Sequence, residues 1–475
     1  MSASSVVAGQ LPRACDRCHA IKERCDWSRN DGTQCDRCLR LGHCCRTARQ
    51  ERRPGRRPGV KNHKRAADKT RQHRCTAGLS VVSGSISTFG EAVSITDRQL
   101  LERFFTQNHL LDTFSVGSSF SHEVRQQVIP RLFLSRETLL DGFLVCAISW
   151  VDDTDAYTGG SCLSTCFRYA STALATLASL EVTDLPTMTD CLILGAMLST
   201  FAMRLRPNDV LAICSRTLGL IEPMYVTGGS SDNNDQANPM HSMPGVFLSC
   251  MVMWELRACL FSCGVPMLRF RPPVEAYADR HVGLCATLLP LLHDVCELSN
   301  KMSCQTATEA EADVLRQELD GLECSVSCWQ PTTPDQFSTS FCGTDIAHML
   351  CQAQVMRSAM LLVIHRIRHP FGSSDGGVSR VLATGILTQL EMTFVATQQH
   401  VRCTDLPLLV ACLELKGTER ARWLRDIAAY AGFSSEFGDH VRAALVSYWA
   451  VLDCSSTISW GDMVKAGAPF LRNPS

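Results

Sequence analysis

From residue 96 onward, the hydrophobic positions of the chain recur with the spacing of amphipathic helices. In TDRQLLERFFTQNHLLDTF, residues 96–114, leucine and phenylalanine recur at i, i+3 and i+4 positions, which places them on one helical face. Thr96 opens this stretch and is the predicted N-cap. Similar patterns predict further helices at 136–151, 161–181, 187–204, 207–221, 246–263, 279–302, 307–322, 345–368, 378–399 and 434–453.

Strand-like alternation is sparse, so the pattern predicts a large all-α domain over residues 96–475. Residues 226–244 form a polar insertion, and 369–377 contains the proline and glycines that end a helix. The hydrophobic share of 45% and the mean hydropathy of +0.01 agree with a globular chain. No run of eighteen consecutive apolar residues occurs, so we expect no membrane partner.

The polar pattern before residue 96 predicts three further regions. We expect a disordered N-terminus over 1–12, a small cysteine-rich module over 13–45, and a basic arm and flexible linker over 46–95. Residues 46–74 contain twelve Lys and Arg against two acidic residues, and two Pro-Gly steps prevent a continuous helix. The arm has no heptad repeat, so any self-association would occur without a recognisable coiled coil.

Charge is segregated along the chain although the net charge is only −1. Residues 1–74 contain 19 Lys and Arg against 7 Asp and Glu, which leaves 27 against 40 in the rest. A basic head on an acidic body indicates a polyanionic partner for the head. The Arg-Arg-Pro-Gly repeat suits phosphate contacts and nuclear import better than base-specific reading of a minor groove. The expected phosphate contacts in the arm are Arg52, Arg53, Arg56 and Arg57.

Cysteines in the basic head follow the spacing C-x2-C-x6-C-x9-C-x2-C-x6-C, and each half begins with Cys-Asp-Arg-Cys. A Cys-x2-Cys turn directs two thiolates to one ion, so the repeat predicts two zinc positions. Eight ligand places filled by six sulfurs require two sulfurs to bridge. A module this small would depend on Zn²⁺ for its fold. The predicted ligands are Cys15, Cys18, Cys25, Cys35, Cys38 and Cys45.

Two alternatives concern these cysteines. Cys44 could replace Cys45 as the sixth ligand, but Cys45 repeats the x6 spacing of the first half. Disulfide bonding is disfavoured because the N-terminus lacks the features of a secretory signal. The other nineteen cysteines follow no disulfide framework, which favours a reducing compartment and hence metal binding.

The motif, with Lys22 four residues after Cys18 and Asp26 directly after Cys25, resembles the fungal zinc binuclear cluster DNA-binding domain. The resemblance implies that the first and fourth cysteines bridge two zinc ions. These are Cys15 and Cys35.

The same resemblance implies a DNA-binding mode. The helix after the second cysteine would enter the major groove of double-stranded DNA, where Lys22 would read a CGG triplet. Arg17, Arg24 and Arg37 would contact phosphates. The chain departs from the family where His19 and Ile21 replace basic residues, which leaves the triplet preference open.

The body resembles, more faintly, the helical regulatory domain that often follows this cluster, at LLVIHRIRHPFG (361–372) and ERARWL (419–424). The resemblance implies a nuclear activator of RNA polymerase II genes that works with the transcription machinery. It further implies control of a fungal secondary-metabolite gene cluster.

Two other classes of function fit the sequence less well. A zinc-stabilised RNA-binding or protein-interaction module is the alternative that the departures at His19 and Ile21 suggest. An enzyme is not expected, because no nucleotide-binding glycine motif or nucleophile elbow occurs. We interpret His365, four residues before His369, as a packing or hydrogen-bonding residue. We interpret three i, i+4 cysteine pairs as small core residues: Cys162/Cys166, Cys259/Cys263 and Cys324/Cys328.

Overall fold

The computed structural model divides the chain into two compact units, residues 1–76 and 77–475. The first unit contains a short helix, α1 (Asp36–Arg40). The residues that the structure describes are 14–15, 17–18, 24–27, 35–43, 93–106, 114–150, 161–227, 243–304, 309–374, 377–431 and 434–467.

The described residues of the second unit form helices joined by loops, with two isolated β-bridges and no strand. This confirms the all-α prediction for the body. The predicted basic arm lies outside the described residues. The helices are α2 (Ile95–Thr106), α3 (Ser121–Leu134), α4 (Arg136–Ser149), α5 (Ser161–Ser179), α6 (Leu185–Leu205), α7 (Val210–Thr227), α8 (Met243–Leu260), α9 (Leu289–Cys304), α10 (Glu309–Cys328), α11 (Phe337–Ser340), α12 (Gly343–Arg368), α13 (Val378–Thr397), α14 (Asp405–Leu413), α15 (Thr418–Ala431), α16 (Ser435–Cys454) and α17 (Trp460–Ala466).

Two long helices form the centre of the body. Helix α6 packs against α4, α7 and α8, and α12 packs against α10, α13 and α14. Every residue of α6 from Met188 to Arg204 is buried, which explains its almost uninterrupted apolar sequence. Its start is set by a capping box, in which Asp184 accepts a hydrogen bond from the Thr187 amide at 2.7 Å.

The same two helices, Leu185–Leu205 and Gly343–Arg368, are long and apolar enough to cross a membrane by length and composition. Packing within the body buries 83% and 61% of their most apolar stretches. Such burial is typical of the core helices of a globular domain.

Buried ion pairs join helices that are distant in sequence. Arg366 near the end of α12 donates two hydrogen bonds of 2.6 Å to Glu414, directly after α14. Arg257 of α8 pairs through one nitrogen with Asp405 at the start of α14. Because both partners in each pair are largely shielded from water, loss of one partner would leave an uncompensated charge.

Several predicted boundaries were wrong. Ser94, rather than Thr96, caps α2, because its hydroxyl accepts a hydrogen bond from the Asp97 amide at 3.0 Å. The helix predicted from residue 279 begins at Leu289, since residues 279–283 form a bridged turn. The pattern also failed to predict α3, α11, α14, α15 and α17. Helix α14 is apolar on all sides because it is buried on all sides, so it shows no helical period.

Candidate metal centre

Both Cys-x2-Cys segments form the same local turn. The backbone N–H of Cys18 donates to the sulfur of Cys15, and that of Cys38 donates to the sulfur of Cys35, at 3.4 Å in each case. Cys35 is the N-cap of α1, with an extended backbone that ends just before the helical turn. The repeat in the sequence is therefore also a repeat in the structure. Each turn directs its sulfurs toward a common centre.

The described sulfurs lie at the spacing of ligands around one metal ion. Cys15 and Cys35 are 3.8 Å apart, as are Cys18 and Cys35, and Cys15 and Cys38 are 3.7 Å apart. Sulfurs bound tetrahedrally to zinc at about 2.3 Å lie about 3.8 Å from one another. A disulfide would bring two of them to about 2.05 Å, so these thiols are not oxidised in pairs.

Four of the predicted ligands, Cys15, Cys18, Cys25 and Cys35, have sulfurs within 4.8 Å of one another and could hold a metal ion. Cys38 adds a further sulfur beside Cys15. The sixth predicted ligand, Cys45, and its alternative Cys44 lie outside the described residues. The structure thus brings together the five predicted ligands that it describes.

These thiols also replace the hydrophobic core of the module. Four of the five sulfur-bearing residues are buried, and Trp27 packs against them. Burial raises the pKa of the Cys25 thiol to about 12 and raises the pKa of Cys38 as well. At Cys35 burial acts in the same direction, but the Cys38 amide and neighbouring thiols together lower the pKa. A bound cation would supply the charge that such a crowded set of thiolates requires.

The predicted DNA contacts are only partly described. Arg17 and Arg24 are exposed, and Arg37 is half-buried on α1. The Arg24 guanidinium pairs with Asp26 at 3.1 Å. Their roles as phosphate contacts stay predictions. Outside the described residues lie Lys22, Arg52, Arg53, Arg56 and Arg57.

The body uses its cysteines differently. Cys166, Cys259 and Cys263 are buried, as expected for small core residues, whereas the side chain of Cys162 is not described. The interpretation was wrong for Cys324 and Cys328, which are exposed. The leucines of helix α10 face the core, and both cysteines lie on the opposite side of the helix, which faces solvent.

Two histidine positions in the body have chemistry that the sequence alone did not reveal. His281 contacts the sulfur of Cys403 through Nδ1 at 3.5 Å. Burial lowers the pKa of His281 to about 4 and raises that of the Cys403 thiol. A buried thiol and imidazole shifted in these directions both stay neutral at pH 7, unlike an activated nucleophile.

A second group with metal-ligand side chains consists of His293, Asp294 and Glu297 on α9. The i, i+4 spacing of His293 and Glu297 was the signal that could have found it. Arg269 donates to both carboxylate oxygens of Asp294, so the negative charge of that residue is already balanced. His365, in contrast, is buried and packs its ring 4.6 Å from that of His369, as the packing interpretation expects.

A surface cavity of about 970 Å³ lies where α12, α14 and α16 end. Arg366 and Glu414 line it, and their ion pair satisfies both charges at its floor.

Comparison with family models, with curated proteins and with solved structures finds no match to this chain. The likeness to the fungal cluster domain therefore depends on the cysteine motif and its neighbouring residues.

Proposed function

We propose that this chain is a sequence-specific DNA-binding transcription regulator that reads CGG-type triplets through a two-zinc, six-cysteine cluster. The observation that supports it most strongly is the set of sulfur separations of 3.7–3.8 Å in the module. These separations suit a shared metal cluster, and the residues between the sulfurs resemble the fungal DNA-binding module.

The metal in this proposal is zinc, with two ions in each cluster. Cys18 and Cys25 would bind one ion, and Cys38 and Cys45 the other, while Cys15 and Cys35 would bridge. Close contacts of Cys15 with both Cys35 and Cys38 favour its role as a bridge. Zinc would crosslink the thiolates and so hold a segment that lacks an apolar core of its own.

Recognition of DNA is assigned to charges around this cluster. Lys22 would donate to guanine N7 and O6 in the major groove, which is the commonest way for a basic side chain to select that base. Arg17, Arg24 and Arg37 would neutralise phosphates. The basic arm would add affinity that falls with salt, because bound cationic side chains release counterions from DNA.

The biological assignment extends the same proposal. The chain would act in the nucleus as an activator of genes transcribed by RNA polymerase II, and its target would be a fungal secondary-metabolite gene cluster. The acidic helical body would contact the transcription machinery. The resemblance of the body to the regulatory domain supports this assignment.

Fluorescence anisotropy tests the proposal with the zinc-loaded full chain, a CGG-containing duplex and a scrambled duplex of equal length. We expect a preference of about tenfold or more, equivalent to about 1.4 kcal/mol, which chelation abolishes. Lys22→Ala should cost about 1–3 kcal/mol on the CGG duplex and lose the preference. Lys301→Ala, an exposed lysine of the body, is the matched control and should change nothing.

The arm is tested separately by replacing Arg52, Arg53, Arg56 and Arg57 with alanine. Affinity should fall equally for both duplexes, and the dependence of log K on log salt should become shallower. An unchanged salt slope would exclude the arm from the interface.

A second candidate is a zinc-stabilised module that binds RNA or another protein. Exposed Leu39 and Leu41 beside the cluster favour a protein partner, because both offer apolar surface next to charged residues. This candidate would be favoured if the full chain bound both duplexes equally and single-stranded RNA more tightly. It would also be favoured if the full chain bound no nucleic acid.

A further inference from the structure

Helix α13 is apolar on two opposite sides. Its inner side, which includes Ala383, Ile386, Leu387 and Leu390, is buried against α12 and α14. The outer side carries a second row of residues, and no described residue buries it. We call this row the outer stripe: Val378, Val381, Gly385, Thr388, Met392 and Val395.

The outer stripe has the spacing of a helix–helix seam. Its successive intervals are three, four, three, four and three residues, as in the a and d positions of a heptad repeat. Its four large residues are strongly exposed, at 47% for Val378, 73% for Val381, 62% for Met392 and 69% for Val395. A solvent-facing helix side normally carries polar residues, so this arrangement indicates an interface.

The order of residues in the stripe is symmetric about a point between Ile386 and Leu387. Two antiparallel copies centred there would pair Val378 with Val395, Val381 with Met392, and Gly385 with Thr388. Each pair would occur twice, as a two-fold interface requires. The small residues meet at the centre, where space is open beside Gly385 and two backbones could approach closely.

Charge follows the same symmetry. Arg380 and Glu391 lie on one flank of the stripe, and antiparallel pairing would place Arg380 of one copy within about one helical turn of Glu391 of the other. Arg422 already pairs with Glu391 inside the chain, so this contact would contribute to register more than to affinity.

The exposed area of the stripe is about 500 Å² per copy, or about 1,000 Å² for a pair, which is the lower limit for a specific interface. We propose that the outer stripe of α13 joins two copies of this chain in an antiparallel, two-fold dimer. An interface at this lower limit predicts a reversible rather than a permanent dimer. The proposal stands independently of DNA binding.

Sedimentation velocity of the full chain under reducing conditions tests the dimer. The mean mass should rise from 52.3 kDa toward twice that value as the concentration increases from roughly 1 to 100 μM. Val381→Glu or Met392→Lys should weaken association at least tenfold, because each places a charge in the apolar seam. Val446→Glu on α16, at a residue 50% exposed, makes the same change elsewhere and should leave the dimer intact.

A charge-pair variant tests the register. In the double variant Val381→Glu and Met392→Lys, antiparallel pairing places each glutamate opposite a lysine, so dimerisation should be restored. Parallel pairing would place like charges together, and the double variant would stay monomeric. Circular dichroism checks that every variant keeps its helices.

Each outcome decides one part of the proposal. A wild-type mass that stays at 52.3 kDa overturns the dimer. A dimer that resists Val381→Glu overturns the stripe as its surface, and a double variant that stays monomeric overturns the antiparallel register. If the chain is monomeric and still prefers the CGG duplex, the dimer proposal is contradicted and the proposed DNA-binding function is not.

Discussion

Cysteine has two contrasting roles in the two units of this protein. In the first unit five described cysteines converge, with three pairs of sulfurs 3.7–3.8 Å apart, and they form the interior of the module. In the second unit most described cysteines are buried singly among leucine, methionine and phenylalanine, where they act as small apolar residues. The difference lies in what forms the interior of each unit, which is a cysteine cluster that could hold a metal ion in one and packed apolar side chains in the other.

Removal of the metal should show the largest difference in stability between the two units. Chelation of the full chain should unfold the module, because zinc contributes about 10–16 kcal/mol to the folding of small zinc domains. The body should stay folded. Hydrogen exchange measured by mass spectrometry should show loss of protection at residues 35–43 and unchanged protection in α6 and α12. Protected amides at 35–43 after complete chelation would show that the module folds without metal.

Breaking a buried ion pair should destabilise the body and leave the module unaffected. Glu414→Ala leaves Arg366 buried with its charge uncompensated, so we expect the body to lose about 3–5 kcal/mol of unfolding free energy. Denaturant titration measures this loss, and zinc content should stay constant. Glu419→Ala, at an exposed position in the first turn of α15, is the control and should cost under about 0.5 kcal/mol. Equal losses of unfolding free energy in the two variants would show that the ion pair does not stabilise the body.

Acid should weaken the body through His281. Burial lowers the pKa of His281 to about 4 in the folded chain, while the Asp405 carboxylate partly offsets this effect. A depressed pKa means that the folded state binds fewer protons, so stability is complete above about pH 6.5 and falls as pH decreases toward 4. The loss should reach about 3 kcal/mol. Unfolding free energies of wild type and His281→Gln, compared at pH 7 and 4.5, measure it. A variant with the wild-type pH dependence would assign the acid sensitivity to other groups.

Single cysteine substitutions make the finest comparison. Cys412→Ala removes a buried sulfur from α14 and should cost about 1–2 kcal/mol of stability with no change in zinc content. Cys38→Ala should leave the body unaffected and reduce the zinc content of the chain. Zinc is measured by elemental analysis of the dialysed protein. Zinc loss from Cys412→Ala would place a metal ligand in the body.

The metal-centre geometry was the most predictable part of the molecule. Cys15 and Cys18, or Cys35 and Cys38, lie within one turn of chain, so their spacing alone sets the direction of their sulfurs. Periodicity likewise predicted α6, α12 and α13 within a few residues of their ends. The start of α2 was missed by two residues because Ile95 is exposed and lies before the apolar face.

Local spacing therefore determined the turn within each Cys-x2-Cys pair and most of the long helices, because both depend on contacts within one or two turns of chain. Tertiary structure alone decided how those segments face one another. It exposed Cys324 and Cys328, placed His281 beside Cys403, and left the outer stripe of α13 uncovered while burying the opposite side. Burial depends on which distant helix packs against a face, and an isolated helical pattern contains no information about that neighbour.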